Sequence, residues 1–211
     1  MIFVTILEVV YNDCMDVFSN HVIEILTGIS PLFQMVGISA FSYAEGLPII
    51  GSILPGGTVA LLAGSLSATG VFSPYLAFIV IAVSSFFGDM TGFFLGKKFK
   101  EKVWIKKIVN SEKHQKSWDL FDRHLAIISI FGKLIPVVRS TPSIFAAVRG
   151  VRTRRYMVYS FLGSFLWAFS GVFLGKILTE FLGKKAIPLI FGFLILSVVI
   201  VLLRQIIKSK K

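Results

Sequence analysis

Residues Leu125–Val148 read LAIISIFGKLIPVVRSTPSIFAAV, and this stretch decides the fold. It is apolar over most of its length, yet it contains Gly132, Pro136 and Pro142 together with Lys133 and Arg139. Proline inside a helix removes a backbone donor and clashes with the preceding turn, so an unbroken span is excluded. The apolar arms on either side, roughly 9 to 12 residues each, extend about 13 to 18 Å as helix, enough to reach the bilayer middle and return. We read residues 125–148 as a re-entrant hairpin. Glu45–Gly70, EGLPIIGSILPGGTVALLAGSLSATG, has the same grammar, with Pro48, Gly51, Pro55, Gly56, Gly57 and Gly64 interrupting an apolar run. The turns are assigned to Pro55, Gly56 and Gly57 in the first hairpin and to Pro136 in the second. Non-helical backbone at membrane depth is tolerated only where protein or a wet cavity surrounds it, so the two turns are expected to face one another inside a bundle.

The composition demands such a solvent. Of 211 residues, 55% are hydrophobic and 16% charged, 21 are phenylalanine, and the mean hydropathy is +0.82. A water-soluble enzyme is excluded. Pro74–Gly96, broken only by Asp89, and the uncharged segments Tyr156–Gly175 and Ala186–Leu203 are each long enough to cross. Residues 22–43 form a weaker fourth candidate, with Glu24 at its start and Pro31 within it, and either span or lie along the surface. The expected fold is an all-α integral membrane protein with two re-entrant helical hairpins in an inverted repeat plus three or four transmembrane helices. Its expected divisions are an amphipathic or spanning segment at 1–43, a central domain at 44–183 with hairpins 45–70 and 125–148, and a transmembrane helix with a basic tail at 184–211.

Charge is segregated along the chain. Residues 1–96 hold six carboxylates and no Lys or Arg, whereas the rest hold all 22 Lys and Arg against five carboxylates. The basic blocks Lys97–Lys116, Arg149–Arg155 and Arg204–Lys211 abut apolar segments, as cytoplasmic loops do under the positive-inside bias, and nucleic acid is not the expected partner. Both flanks of hairpin two are basic, which fits its leaving the membrane on the side where it came in. The C-terminus is then cytoplasmic in a multi-pass protein of the cell inner (plasma) membrane. The N-terminus has no basic region before its apolar residues and does not read as a cleaved signal.

Two short matches support a duplication. Gly51-Ser52-Ile53-Leu54-Pro55 pairs with Gly132-Lys133-Leu134-Ile135-Pro136 at an offset of 81, and Gly92-Phe93-Phe94-Leu95-Gly96-Lys97 with Gly171-Val172-Phe173-Leu174-Gly175-Lys176 at an offset of 79. Opposite insertion of the two units gives the inverted arrangement from which transporters build a midplane site. The glycines at four-residue spacing are helix-packing features, and the GFFLGKK string lacks the spacing and the Ser or Thr of a phosphate loop.

No nucleophile elbow, acid pair or histidine triad is visible, so no enzymatic activity is expected, and neither a metal nor another cofactor. Cys14 is the sole cysteine. What remains are charges at membrane depth, where an unneeded ion costs on the order of 3 kcal/mol. Lys133 and Arg139 flank the turn of hairpin two and are the candidate phosphate clamp, Arg supplying a planar fork and Lys a point charge. Glu45, at the mouth of hairpin one, and Asp89, within a span, are candidate coupling or gating acids. Structural alternatives are snorkelling or charge balance for the cations, an interfacial carboxylate for Glu45, and a buried salt-bridge partner for Asp89. Asp89 is expected to be protonated or paired, and Asp89→Asn to spare folding.

At these residues the sequence resembles the DedA family of membrane proteins, which shares its hairpin-containing domain with eukaryotic lipid scramblases. The carriers run from about Phe41 to Leu178. They are Glu45-Gly46, Leu54-Pro55-Gly56-Gly57-Thr58, Ala63-Gly64, Gly88-Asp89, Gly96-Lys97, Phe121-Asp122-Arg123-His124, Gly132 to Arg139, Ala146-Ala147, Arg155-Tyr156, and Gly163 with Trp167. The resemblance implies movement of lipid phosphates between leaflets, undecaprenyl phosphate or a phospholipid, with functional positions at Glu45, Lys133 and Arg139 and, less directly, Asp89. It also implies membrane lipids as partners. This chain has Gly57 where the family commonly has an acid, Lys133 where it has Arg, and Ala146-Ala147 where it has Ala-Gly. The missing acid weakens the case for proton coupling more than the case for lipid binding. Competing expectations are a proton-coupled exporter of small solutes and a non-transporting membrane scaffold.

Overall fold

The computed structural model describes residues 28–48, 50–52, 57–100, 119–135, 139 and 141–183, together with 24, 186 and 190. Cys14, the turn residues Pro55, Gly56 and Pro136, the basic stretch 101–118 and nearly all of the 186–203 candidate span lie outside the described residues.

Every described element is helical. In chain order they are α1 (Pro31–Gly46), a 3₁₀ turn (Ile50–Ser52), α2 (Thr58–Ala68), α3 (Pro74–Phe99), α4 (Leu125–Phe131) running into a 3₁₀ turn (Gly132–Leu134), α5 (Thr141–Val148) and α6 (Thr153–Leu182). Pro31 and Pro74 sit at the first turns of α1 and α3, where the absent N–H would have had no helical partner. Pro31, which lies within the 22–43 candidate, starts a helix there, and that helix continues past residue 43 through Glu45 to Gly46.

α3 and α6, at 26 and 30 residues, are long enough to cross a bilayer core, whereas α1, α2, α4 and α5 are all 16 residues or fewer. The surface is inverted relative to a soluble protein. Phe87, Phe94, Phe161, Phe165, Phe169 and Leu174 face outward, while Glu45, Asp89, Lys133, Arg139 and eleven other polar residues, eight of them serines, are buried among the described residues. A long apolar helix that exposes its phenylalanines and buries its carboxylate is solvated by lipid, not by a protein core. Aromatic edges close the outer seam between the antiparallel α3 and α6, Phe78 against Phe165 at 4.6 Å and Phe86 against Phe161 at 5.9 Å.

Glycine sets where the short helices dock. On α3, a methyl at Gly88 would strike the Tyr43 carbonyl of α1, one at Gly92 would meet Pro48 and Ser143, and one at Gly96 would meet Ala147 and Ile144 of α5. On α6, Gly163 faces Ser129 and Ile130 of α4, Gly171 faces Ala60, and Gly175 faces the Leu61 carbonyl of α2. Each long helix thus receives the first short helix of one pair at its earlier glycine and the second short helix of the other pair at its later ones. The contacts advance in the same chain direction along α1 and α3 and along α2 and α6, so these pairs run parallel. Close approach is reinforced by Ser65 Oγ, which donates to the Gly175 carbonyl at 3.2 Å. At one end of the bundle Lys97 Nζ donates to Thr153 Oγ1 at 2.7 Å, and Arg149 pairs with Asp122. The basic stretches that begin near 97 and at 149 therefore leave the bundle at the same end.

Candidate functional site

The buried face of α1 is Gln34, Ile38, Ser42, Glu45 and Gly46, and that of α3 includes Ile81, Ser85, Gly88, Asp89 and Gly92. Helical periodicity puts Ser42 one turn before Glu45 and Ser85 one turn before Asp89 on these faces. Gly46 and Gly88 let the two backbones touch, since a methyl on Gly46 would lie 2.8 Å from the Gly88 Cα and the Asp89 amide nitrogen. This crossing carries both acids to the interior side of the α1–α3 pair. Glu45, expected at the mouth of a hairpin, is instead wholly buried in the last turn of α1. The physical reason is that the helix starts at Pro31, so position 45 falls in its last turn, on its buried face.

Both cations come from the α4–α5 unit. Lys133, in the 3₁₀ turn after α4, pairs with Asp89 of α3. Its ammonium also donates to the Ser160 carbonyl at 3.3 Å and to Ser164 Oγ, and Ser160 Oγ donates to Asp89 Oδ2 at 2.6 Å. Ser160 and Ser164 lie one turn apart on α6, so one helix face holds both ends of the pair. Arg139 Nη1 donates to Glu45 Oε2 at 2.6 Å, with both side chains 1% exposed or less. Its guanidinium lies 3.7 Å from the ring centroid of Trp167, one turn beyond Ser164 on α6. The Gly57 backbone amide also interacts with the Glu45 carboxylate. Gly57 has φ +95° at the start of α2, a left-handed conformation that disfavours a side chain.

All four charges singled out from the sequence thus meet, but as two cation–carboxylate pairs rather than as a clamp of cations with separate acids. Of the two alternatives set out for Asp89, pairing is the one found. Of the two alternatives for Lys133 and Arg139, snorkelling does not describe them, since each is 2% exposed, whereas charge balance does, since each is paired with a carboxylate. Among the turn residues only Gly57 is described. No group of three or more potential metal ligands occurs among the described residues. Sequence reasoning left Ser160, Ser164 and Trp167 out of the site, although polar and indole side chains at i, i+4 and i+7 on one face of an uncharged span were a readable signal.

An isolated charge in such a place costs several kcal/mol, and pairing repays it only in part. Beside the two pairs, the hydroxyls of Ser42, Ser85 and Ser129 are buried without a hydrogen-bond partner among the described residues. In each pair the cation comes from the stretch between α4 and α5 and the carboxylate from α1 or α3.

Residues 54–177, which include Gly57, Asp89, Lys133, Arg139 and Trp167, match the VTT domain. The chain is 31% identical over 120 residues to the inner membrane protein YghB of Escherichia coli K12, covering 55% of this chain and 54% of that one. It is 22% identical over 138 residues to the protein DedA of the same organism, covering 61% and 63%, and 21% identical over 140 residues to its inner membrane protein YabI, covering 65% and 55%. The matched regions thus span little more than half of each of these relatives. No solved structure matches the chain. The relatives' names support an inner-membrane location. With the domain match covering more than half of its length, this all-helical membrane protein belongs to the VTT-domain, or DedA, family.

Proposed function

We propose that the protein is a non-enzymatic, multi-pass transporter that moves lipid phosphates, undecaprenyl phosphate or a phospholipid, between the leaflets of the inner membrane. The observation that carries this reading is the pair of buried cations, Lys133 and Arg139, each neutralised by a carboxylate of another element. A phosphate monoester can replace those carboxylates as counter-ion. Arg139 offers a planar fork and Lys133 a compact charge, and both stay compensated throughout the exchange. Glu45 and Asp89 then act as resident counter-ions that hold the site closed when no lipid is bound. Their release by a proton or another cation would couple or gate the movement.

The architecture supports the same reading. α1 with α2 and α4 with α5 are re-entrant hairpins, and α3 and α6 are spans. The reciprocal docking of the short helices on the two glycine rows is what an inverted repeat of hairpin plus span requires. In this topology the ends bearing Lys97, Arg149 and Thr153 face the cytoplasm, as does the C-terminus. A proton-coupled exporter of small solutes would use the same acids. Burial of the cations behind lipid-facing helices favours a substrate that arrives through the bilayer.

The test is headgroup accessibility in liposomes reconstituted with purified protein. The reading expects a labelled lipid phosphate to become accessible from the opposite leaflet in protein-containing vesicles only, and Arg139→Ala to remove this effect.

A further inference from the structure

The Arg139–Glu45 pair uses one edge of the guanidinium, and what holds the rest of that group is not a charge. Nη1 is spent on Glu45 Oε2 at 2.6 Å, whereas Nη2 is buried without a hydrogen-bond partner among the described residues. An unmade hydrogen bond at a buried guanidinium is expensive, and a long side chain can ordinarily rotate to relieve it. Here the rotation is opposed by Trp167, whose ring centroid is 3.7 Å from the guanidinium carbon, the separation of two stacked faces. Trp167 is itself fixed, 4% exposed and packed among Val59, Ala60, Ala63 and Val172. Gly57 lies beside the indole, since a Cβ built there would be 3.8 Å from its nitrogen, an ordinary contact distance.

We propose that Trp167 is a positioning residue that sets the phosphate preference of the site by holding the Arg139 guanidinium with one edge on Glu45 and the other free for an oxyanion. The inference rests on the lipid-phosphate reading above and adds to it the residue that makes the Arg139 fork available. Trp167 touches no phosphate in this account. It acts through Arg139, so its removal weakens recognition of the phosphate and leaves recognition of the apolar tail intact.

The experiment measures equilibrium binding of farnesyl phosphate and of farnesol to the purified full chain in lipid nanodiscs. The parental protein prefers the phosphate. Trp167→Phe keeps an aromatic face and stays within about threefold of that preference, while Trp167→Leu and Trp167→Met reduce it about tenfold with farnesol affinity unchanged. In an Arg139→Gln background the preference is already lost, and Trp167→Leu changes it no further. Should Trp167→Leu not fold, the bulkier Trp167→Met set against Trp167→Phe gives the same comparison. The role of Trp167 is overturned if Leu and Met variants keep the parental preference, or if they lose farnesol and farnesyl phosphate in equal proportion, which is a packing effect. The phosphate reading itself is overturned if the parental protein shows no preference or if Arg139→Gln retains it.

Discussion

Arg139 and Lys133 are not interchangeable cations, because their surroundings differ. Lys133 sits in a pocket of directional acceptors, Asp89, the Ser160 carbonyl and Ser164, that suit a compact ammonium. Arg139 is stacked and paired through one edge. The pairing also changes the expectation for Asp89→Asn. Neutralising Asp89 leaves Lys133 buried without its counter-ion, and the loss should be about 3 to 5 kcal/mol rather than nothing. Adding Lys133→Gln to Asp89→Asn should recover much of that loss, read as the thermal midpoint of the detergent-solubilised protein. Equal midpoints for the parental protein and Asp89→Asn would refute the ion pair. Gly57, at φ +95°, gives a second test of local structure, since Gly57→Ala should cost about 1 to 3 kcal/mol through backbone strain alone.

At the scale of elements, the glycine rows hold the short helices against the spans. Gly64 of α2 faces the Val172 carbonyl and Gly175 of α6 faces the Leu61 carbonyl, so a side chain at either position must push the backbones apart. Gly64→Ala and Gly175→Ala should each destabilise by roughly 1 to 3 kcal/mol. Gly37→Ala, with open space around it, should leave the midpoint within error of the parental value or raise it slightly. Size-exclusion profiles after graded heating distinguish these outcomes. The long apolar runs were legible from the sequence because length and absence of charge alone mark them, and α3 and α6 match the expected spans with a few extra residues at their ends. The start of α1 was not legible from the 22–43 apolar run alone, because a proline within such a run can equally mark a helix start, as Pro31 does. The candidate charges were legible because charge in an apolar run is conspicuous. Their partners were not, since pairing of position 45 with 139 and of 89 with 133 depends on how distant helices cross, which no local pattern encodes.

For the whole molecule, the two ion pairs tie Lys133 to Asp89 of α3 and Arg139 to Glu45 of α1. If residues 125–148 form a re-entrant hairpin, the loops on either side of it remain on one face. With Cys14 replaced, cysteines introduced at Lys106 and Arg152 should both resist an impermeant thiol reagent on intact cells, and one at Lys185 should react. Reaction at Lys106 or Arg152 would contradict the re-entrant topology. If the buried guanidinium of Arg139 carries the phosphate, translocation of a labelled lipid phosphate in liposomes must depend on it, and Arg139→Ala, Arg139→Lys and parental proteins of verified fold and equal yield are to be compared. Arg139→Ala should give no protein-dependent movement, and Arg139→Lys, which keeps the charge but loses the fork, partial movement. Movement by Arg139→Ala at the parental rate would contradict this role of Arg139.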